Sequence, residues 1–347
     1  MNPDRIRVAI LGATGYTGSE LVRLLTPHPG VELVAVTSES RAGEPFSAVH
    51  PSFRGIEDRA LVTVADLEDM DLDLMFLALP HRVSMEFVRD HGLQRCRIID
   101  LSGDFRLPSA EMYESWYGTP HVAPEFLGEA VFGLPELNRT AIAEARLVAN
   151  PGCYPTSAIL ALAPLLKRNQ VSPEGIVVDS KSGVTGAGAT AGEGTHFPRV
   201  FGNFSAYGLL GHRHTPEIEH VLGLVAGEEI DLLFTPHLLP VDRGILTTAY
   251  ARPRPGVDAE SVTAALHEAY ADEPFVRVCP TPPGIKDVRG SNYCDVFATC
   301  DPRTDRVVTV SVIDNLVKGA AGQAVQNLNI MFDWPETTGL NQGPVNP

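Results

Sequence analysis

The chain has 347 residues, 44% hydrophobic and 20% charged, with a formal net charge of −16. That length suits two domains, and that mix suits a soluble globular protein with a sizeable core. The acidic balance excludes a nucleic acid or an anionic membrane as the main partner, though not a local basic pocket, and the lack of eighteen uninterrupted apolar residues argues against a membrane-spanning helix.

The first part alternates strand and helix signals. "IRVAIL" reads as a buried strand and runs straight into "GATGYTG", so no cleavable signal pattern is expected and a cytoplasmic location is. "GSELVRLLT" follows as a helix and "VELVAVT" as a second strand. "LDLMFLAL" is a third strand, "PHRVSMEFVRDHG" a helix, and "RIIDLSG" and "ARLVAN" further strands. Short apolar strands alternating with helices imply a parallel sheet covered on both faces. After about residue 152 the pattern changes. "GIVVDSKSG", "DLLFTPHL", "RGILTTAYARP", "PFVRVC", "NYCDVFATCD" and "RVVTVSVIDNL" are strands with few helices between them. "DAESVTAALHEAYADE" is a clear helix with Asp258 at its N-cap, and 319–334 is helical again. The fold class is therefore α/β: a Rossmann-type parallel-sheet domain over 1–152, and an α+β domain with a mixed sheet over 153–318. A helix in 319–340 is expected to return to the first domain, leaving a loosely held tail over 341–347.

Gly12, Gly15 and Gly18 lie directly between a strand and a helix. Glycines there permit a tight turn and let backbone approach a diphosphate, while the helix start supplies free N–H groups and a positive dipole end. Ala13, Thr14, Tyr16 and Thr17 complete the loop; the bland alternative is an ordinary strand–helix turn. At the end of the second strand, where an NAD site carries an acid, stand Thr37 and Ser38 with Arg41 nearby. Hydroxyls and an arginine suit a 2′-phosphate, so NADP is expected, provided Glu39 points away from the ribose.

Cys153 sits at the start of an apolar run in "NPGCYPTSAILALAPLL". A helix starting there would stabilise its thiolate and make it nucleophilic; the alternative is a small thiol buried under a helix. The other four cysteines (Cys96, Cys279, Cys294 and Cys300) read as structural, and an odd count without a CxxC pair suits a reduced compartment. In "GHRHTPEIEH", His212 and His214 are two apart and would share a face on an extended segment, with Glu217 following. One imidazole would serve as acid/base while the other is held by a carboxylate. The spacing also permits a metal, but nothing completes a ligand set, so none is expected. His50 reads as an ordinary loop position, and His237 as structural or lining the site. "DLSGDFRL" lies at the carboxyl end of a parallel strand, where Ser102 and Gly103 would touch cofactor and Arg106 an anionic group. "KSGVTGAGATAGEG" is either a flexible linker or a loop whose Ser182 and Gly183 lie along the nicotinamide ribose or diphosphate.

A dinucleotide site, an activated thiol and a histidine together suit reduction of an acyl group through a thioester, with helix N–H groups stabilising the oxyanion. "GATGYTGSELVRLL", "DLSGDFRL", "GLPELNR", "NPGCYPT", "KSGVTGAG", "GHRHTPEIEH", "FTPHLLPVDRGIL" and "DNLVKGAAGQAVQNLN" occur in that order. From about residue 5 to 340 the chain resembles the N-acetyl-γ-glutamyl-phosphate reductase family, relatives of aspartate-semialdehyde dehydrogenase. The resemblance implies NADPH-dependent reduction of N-acetyl-L-glutamyl 5-phosphate, a small-molecule acyl phosphate, to the 5-semialdehyde in arginine biosynthesis. It implies Cys153 as nucleophile and His212 as acid/base with His214 and Glu217 in support. It further implies Asn315 at the cofactor, Asn150 and Arg213 at the substrate, and a homotetramer or homodimer. Where the family often has GAGR, this chain reads "GAGAT", so Arg106, Arg199 or Arg213 would have to replace that arginine. The alternatives are the lysine-pathway counterpart acting on a carrier-bound aminoadipyl phosphate, a Cys–His hydrolase, and a non-catalytic NADP-binding module.

Overall fold

The computed structural model describes residues 5–346. The chain forms two compact units, one running to Pro151 and including Ala320–Asn341, the other comprising Gly152–Gly319 and the residues from Gln342 on.

In the first unit the elements are β1 (Ile6–Leu11), α1 (Tyr16–Leu25), β2 (Val31–Val36), the short α2 (Phe46–Val49), β3 (Leu74–Leu77), α3 (Val83–His91), β4 (Arg97–Asp100), α4 (Ala110–Tyr117), β5 (Ala130–Phe132), α5 (Pro135–Glu144) and β6 (Leu147–Ala149). The strands pair in the order β2-β1-β3-β4-β6-β5, every pairing parallel. Val8 to Leu11, β3 and most of β4 are buried, as strands covered on both faces must be. Because the strands are parallel, the loops after β1, β3 and β4 emerge along one edge of the sheet.

In the second unit come α6 (Cys153–Lys167), β7 (Ile176–Gly183), α7 (Phe197–Val200), β8 (Ser205–Ala206), α8 (Thr215–Ala226), β9 (Leu232–Leu239), β10 (Ile245–Ala251), α9 (Ala259–Tyr270), β11 (Val276–Val278), β12 (Cys294–Asp301) and β13 (Arg306–Ile313). The sheet order is β11-β12-β13-β10-β7-β9-β8. It is mixed: β7 with β9 and β11 with β12 are parallel, the remaining pairs antiparallel. One face is covered by α6, against β10, β12 and β13, and by α9 against β12. Alternation along β7 and β10 turns Asp179, Lys181, Thr248 and Tyr250 to the other face, where Leu233 and Tyr250 keep 45% and 39% of their surface exposed. Asp258 caps α9 as expected, accepting from Ser261 N at 2.8 Å while Ser261 Oγ accepts from Asp258 N at 2.9 Å.

A π-helical turn, Val317–Ala321, leads into α10 (Gly322–Met331), whose residues are all buried and which packs in the first unit against α1, α5 and β4. Several of its polar side chains find partners, as a buried amide should, whereas the Gln323 amide makes no hydrogen bond among the described residues. Asn327 Nδ2 donates to Gly133 O at 2.9 Å and to Asn150 Oδ1 at 3.1 Å. Asn329 Nδ2 donates to the carbonyls of Glu336 and Thr338. In the segment read as a loose tail, Val345 N donates to Arg289 O at 2.8 Å.

Candidate active site

The first-unit loop is shaped by its glycines. Gly12 has φ +80° and presses on the carbonyl of Ala78, and a Cβ on Gly18 would strike the carbonyl of Gly12. Gly15 caps α1, and a Cβ there would meet only Gly12 O at 3.8 Å. The loop therefore holds an opening over the start of α1, where free N–H groups favour a phosphate. Thr37 is spent on that loop: its Oγ1 accepts from Gly12 N at 3.3 Å and its carbonyl from Ala13 N at 3.0 Å. Ser38 is buried, and Arg41 is exposed with a two-bond pair to Glu44. Glu39 accepts from Val64 N at 2.8 Å, which removes the acid whose orientation the NADP expectation depended on. His50, read from sequence as an ordinary loop residue, packs its ring against Phe46 and Phe53 and feels the charge of Arg41. Burial lowers its pKa.

"DLSGDFRL" is a tightly bonded turn. Ser102 Oγ donates to Asp100 Oδ2 at 2.7 Å, and Asp100 is fully buried. Desolvation and the neighbouring Asp104 carboxylate raise Asp100 to about 6. Gly103 N donates to His81 Nδ1 at 2.8 Å. Arg106 is buried, with Nη2 donating to Leu101 O at 2.8 Å. Asn150 is buried too, its Nδ2 donating to Ala320 O at 3.1 Å.

In the second unit Cys153 is the first residue of α6, with Gly152 as N-cap. The helix begins at the cysteine rather than after it, so the thiol stands at the positive end of the dipole. The thiol is partly exposed. By contrast, burial pushes the Cys96 and Cys279 thiols up to about 11, out of the nucleophilic range at neutral pH. Two features clamp the cysteine. The buried Glu217, in the first turn of α8, accepts from Gly152 N at 2.7 Å. A Cβ on Gly319, in the π-turn, would lie 2.8 Å from Cys153 Cβ.

The HRH segment is not extended. It is a turn leading into α8, with His214 as N-cap in helical conformation. The two rings nonetheless meet, with centroids 4.9 Å apart, because the turn folds His212 back over the helix start. His212 Nδ1 accepts from His214 N at 3.1 Å. That bond fixes the neutral tautomer with its proton on Nε2. Burial first, then Arg213, lowers His212 to about 4. Its ring sits among Tyr154 (5.6 Å), Tyr207 (5.7 Å) and Phe234 (5.3 Å). The Tyr154 and Tyr207 hydroxyls bond each other at 2.9 Å, and a charge on Cys153 acts on both. The two tyrosines therefore tie the thiol and the imidazole to one pocket. Sequence reasoning missed them and Gly319. Tyr154 had a visible signal in being next to the cysteine; Tyr207, Phe234 and Gly319 had none.

Of the remaining expected residues, Ser182 is buried and touches Tyr154, and Gly183 N donates to Gly244 O at 2.9 Å. Asn315 ties this region together, Oδ1 accepting from Gly244 N at 2.7 Å and Nδ2 donating to Thr185 Oγ1 at 3.1 Å. Arg213 is exposed, and Arg199 is exposed and paired with Glu193. His237 Nδ1 lies 3.4 Å from Asp179 Oδ1, and its carbonyl accepts from Tyr154. Among the described residues no cluster of three His, Cys, Asp or Glu could hold a metal, and no helix is long and apolar enough to cross a membrane.

Comparison with known proteins matches residues 7–145 to the semialdehyde dehydrogenase NAD-binding domain and residues 153–315 to the semialdehyde dehydrogenase dimerisation domain. N-acetyl-gamma-glutamyl-phosphate reductase of Pelotomaculum thermopropionicum is 52% identical over 338 residues, covering 96% of this chain and 97% of the relative. That of Citrifermentans bemidjiense is 51% identical over 349 residues, covering 99% and 100%. Among solved structures, aspartate semialdehyde dehydrogenase II of Vibrio cholerae superposes with TM-score 0.72 at 20% identity, covering 95% of this chain and 99% of that one. The aspartate semialdehyde dehydrogenase of Candida albicans, solved with NADP, gives 0.71 at 16% identity, covering 94% and 98%. At such identities the structural likeness shows the fold.

Proposed function

We propose, from the premise that this chain belongs to the N-acetyl-gamma-glutamyl-phosphate reductase family of semialdehyde dehydrogenases, that it reduces N-acetyl-L-glutamyl 5-phosphate to the 5-semialdehyde in arginine biosynthesis. Cys153 is the nucleophile. Its thiolate attacks the acyl carbon, the carbon–oxygen bond to phosphate breaks, and phosphate leaves behind a thioester on Sγ. NADPH held at the glycine loop would supply the hydride that reduces this acyl carbon. His212 Nε2–H donates to the carbonyl oxygen as negative charge builds there, and the free N–H groups at the start of α6 add to that stabilisation. When the oxyanion reforms the carbonyl, the carbon–sulfur bond breaks, the thiolate is released and the aldehyde forms, with the His212 proton kept on Nε2 throughout.

The observation that carries this reading is the joint placement of Cys153 at the positive end of α6 and a neutral His212 of fixed tautomer around Tyr154 and Tyr207. An imidazole held at about 4 is a poor base for a thiol and a good neutral donor to an oxyanion. Glu217 acts by holding the backbone N–H of Gly152 next to Cys153, and His214 by holding the His212 ring through its own backbone N–H.

The loop Gly12–Gly18 and the start of α1 would hold the cofactor diphosphate. NADP rather than NAD is supported by Ser38, by Arg41, whose exposed pair with Glu44 is weak enough to exchange for a 2′-phosphate, and by the turned-away Glu39. Ser102, Gly103, Ser182, Gly183 and Asn315 are assigned to the cofactor, and Arg106, Asn150 and Arg213 to the substrate. The open face carrying Leu233 and Tyr250 supports self-association as a homodimer or homotetramer, and cysteines kept as thiols support a cytoplasmic location. The test is phosphate-dependent reduction of NADP with N-acetylglutamate 5-semialdehyde, followed by nicotinamide absorbance. No turnover there, with turnover of a carrier-bound aminoadipyl semialdehyde, would transfer the chain to the lysine-pathway reaction.

A further inference from the structure

Three loops meet at the carboxyl edge of the first unit's sheet. The glycine loop follows β1, residues 78–82 follow β3, and 101–107 follow β4. Gly12 lies against Ala78 O, and Gly103 N donates to His81 Nδ1 at 2.8 Å, so the loop after β3 lies between the other two. Its last residue, Arg82, has φ 76° and ψ −38°. This is close to the γ-turn region that L-residues rarely occupy and that glycine enters freely. The conformation is enforced from inside the unit. Arg82 N donates to both oxygens of Asp104 at 3.1 and 2.9 Å. The same buried carboxylate accepts from Met85 N at 3.0 Å and the Tyr113 hydroxyl at 2.8 Å. The Arg82 side chain is exposed, and no ion pair or side-chain hydrogen bond engages its guanidinium among the described residues.

The glycine loop itself, "GATGYTG", contains no cation, and the chain carries a net charge of −16. The N–H groups of α1 satisfy phosphate oxygens by hydrogen bonding and leave most of a diphosphate's charge uncompensated. Arg41 is paired with Glu44 and lies beyond β2, on the far side of β1 from β3. A strained backbone holds an exposed arginine at the end of the loop that adjoins the glycine loop through Ala78, where its long side chain can supply the missing cation.

We propose that Arg82 binds the diphosphate of the nicotinamide nucleotide, with Asp104 as the residue that positions it. The assignment rests on reading the glycine loop as the nucleotide site. It differs from the 2′-phosphate contact assigned to Arg41, because a diphosphate contact serves NADPH and NADH alike.

The experiment is fluorescence titration of the full-length protein with NADPH and with NADH, for wild type, Arg82→Gln, Arg82→Lys and Arg82→Gly. Arg82→Gln keeps a side chain in the same backbone conformation and removes the charge. It weakens both nucleotides by the same factor of about ten, the loss expected for one charge-assisted contact. Arg82→Lys recovers part of that loss. Arg82→Gly loses affinity as Arg82→Gln does, while its unfolding temperature does not fall. Unchanged affinity for both nucleotides in Arg82→Gln overturns the proposal, and so does a loss confined to NADPH, which would move Arg82 to the 2′-phosphate. If the wild-type protein binds neither nucleotide, the reading of the glycine loop fails instead.

Discussion

Cys153→Ser keeps nearly the size of the side chain and removes the thiolate. Acyl-phosphate reduction should fall to background while NADPH affinity stays at the wild-type value; lost NADPH affinity would make the cysteine a structural residue. His212→Asn removes the Nε2–H donor, and turnover should fall by roughly 10²–10⁴. His214→Asn leaves the backbone N–H that holds His212 in place, so its loss in turnover should be the smaller. The reverse ranking in steady-state kinetics would move the acid/base role by two residues. Gly319→Ala brings a methyl group to 2.8 Å from Cys153 Cβ. Displacing the nucleophile by a fraction of an ångström should lower kcat by up to about a hundredfold with unchanged NADPH binding. Alkylation of Cys153 should change rate in the same variant, a readout that general loss of packing elsewhere would not move. These residues also show the limit of sequence reading. Cys153 and His212 are chemical types visible in a string, whereas Gly319 matters only because a π-turn some 170 positions away is packed on Cys153.

At the scale of elements, two helix starts behave differently. The start of α9 is set locally, since Asp258 and Ser261 are three residues apart and satisfy each other's backbone. Asp258→Ala should cost about 1 kcal/mol, read as a lower urea midpoint with unchanged m-value. The start of α6 is set by a distant group: Gly152 N–H finds its acceptor on Glu217 of α8. The HRH turn is a further case. The HxH spacing read as an extended pair, but Pro216 in the first turn of α8 and the His214 cap draw the segment into the helix start. The rings meet across a turn instead, and burial among Tyr154, Tyr207 and Phe234 follows from that. Because His212 is held at about 4, kcat should show no imidazole titration near 6.5. A pH–rate profile with an acid limb at 6.5 would require a protonated His212 and sink the neutral-donor role.

Across the whole molecule, burial lowers the pKa of His28, His50, His121, His212 and His220. Each is held neutral in the fold, so the unfolded chain takes up protons first as the pH falls through 6.5. The stability these groups contribute above 6.5 is lost as the pH drops towards their folded values. Asp100 has the opposite sign. Raised from 3.8 to about 6, it favours the fold below 3.8 and loses that contribution as the pH rises through 6. With five histidines against two raised carboxylates, Asp100 and Glu219, the unfolding temperature should fall between pH 7 and pH 5. A rise over that interval, measured calorimetrically, would show that buried carboxylates dominate.

The alternating strands and helices, the change of pattern near residue 152, the glycine loop and the candidate nucleophile were all determined by sequence alone. They depend on periodicity, turn chemistry and residue type, which neighbours along the chain decide. Tertiary structure alone decided what those residues are free to do. Thr37 is committed to the glycine loop, Arg106 lies buried against Leu101 O, and Asp100 and Ser102 are bonded to each other. His212 is neutral with one fixed tautomer. The physical reason is that hydrogen-bond partners and desolvation are set by distance in space: Thr37 meets Gly12 across 25 residues of chain and Glu217 meets Gly152 across 65, while the short-range bonds of Asp100, Arg106 and His212 are fixed by the burial around them.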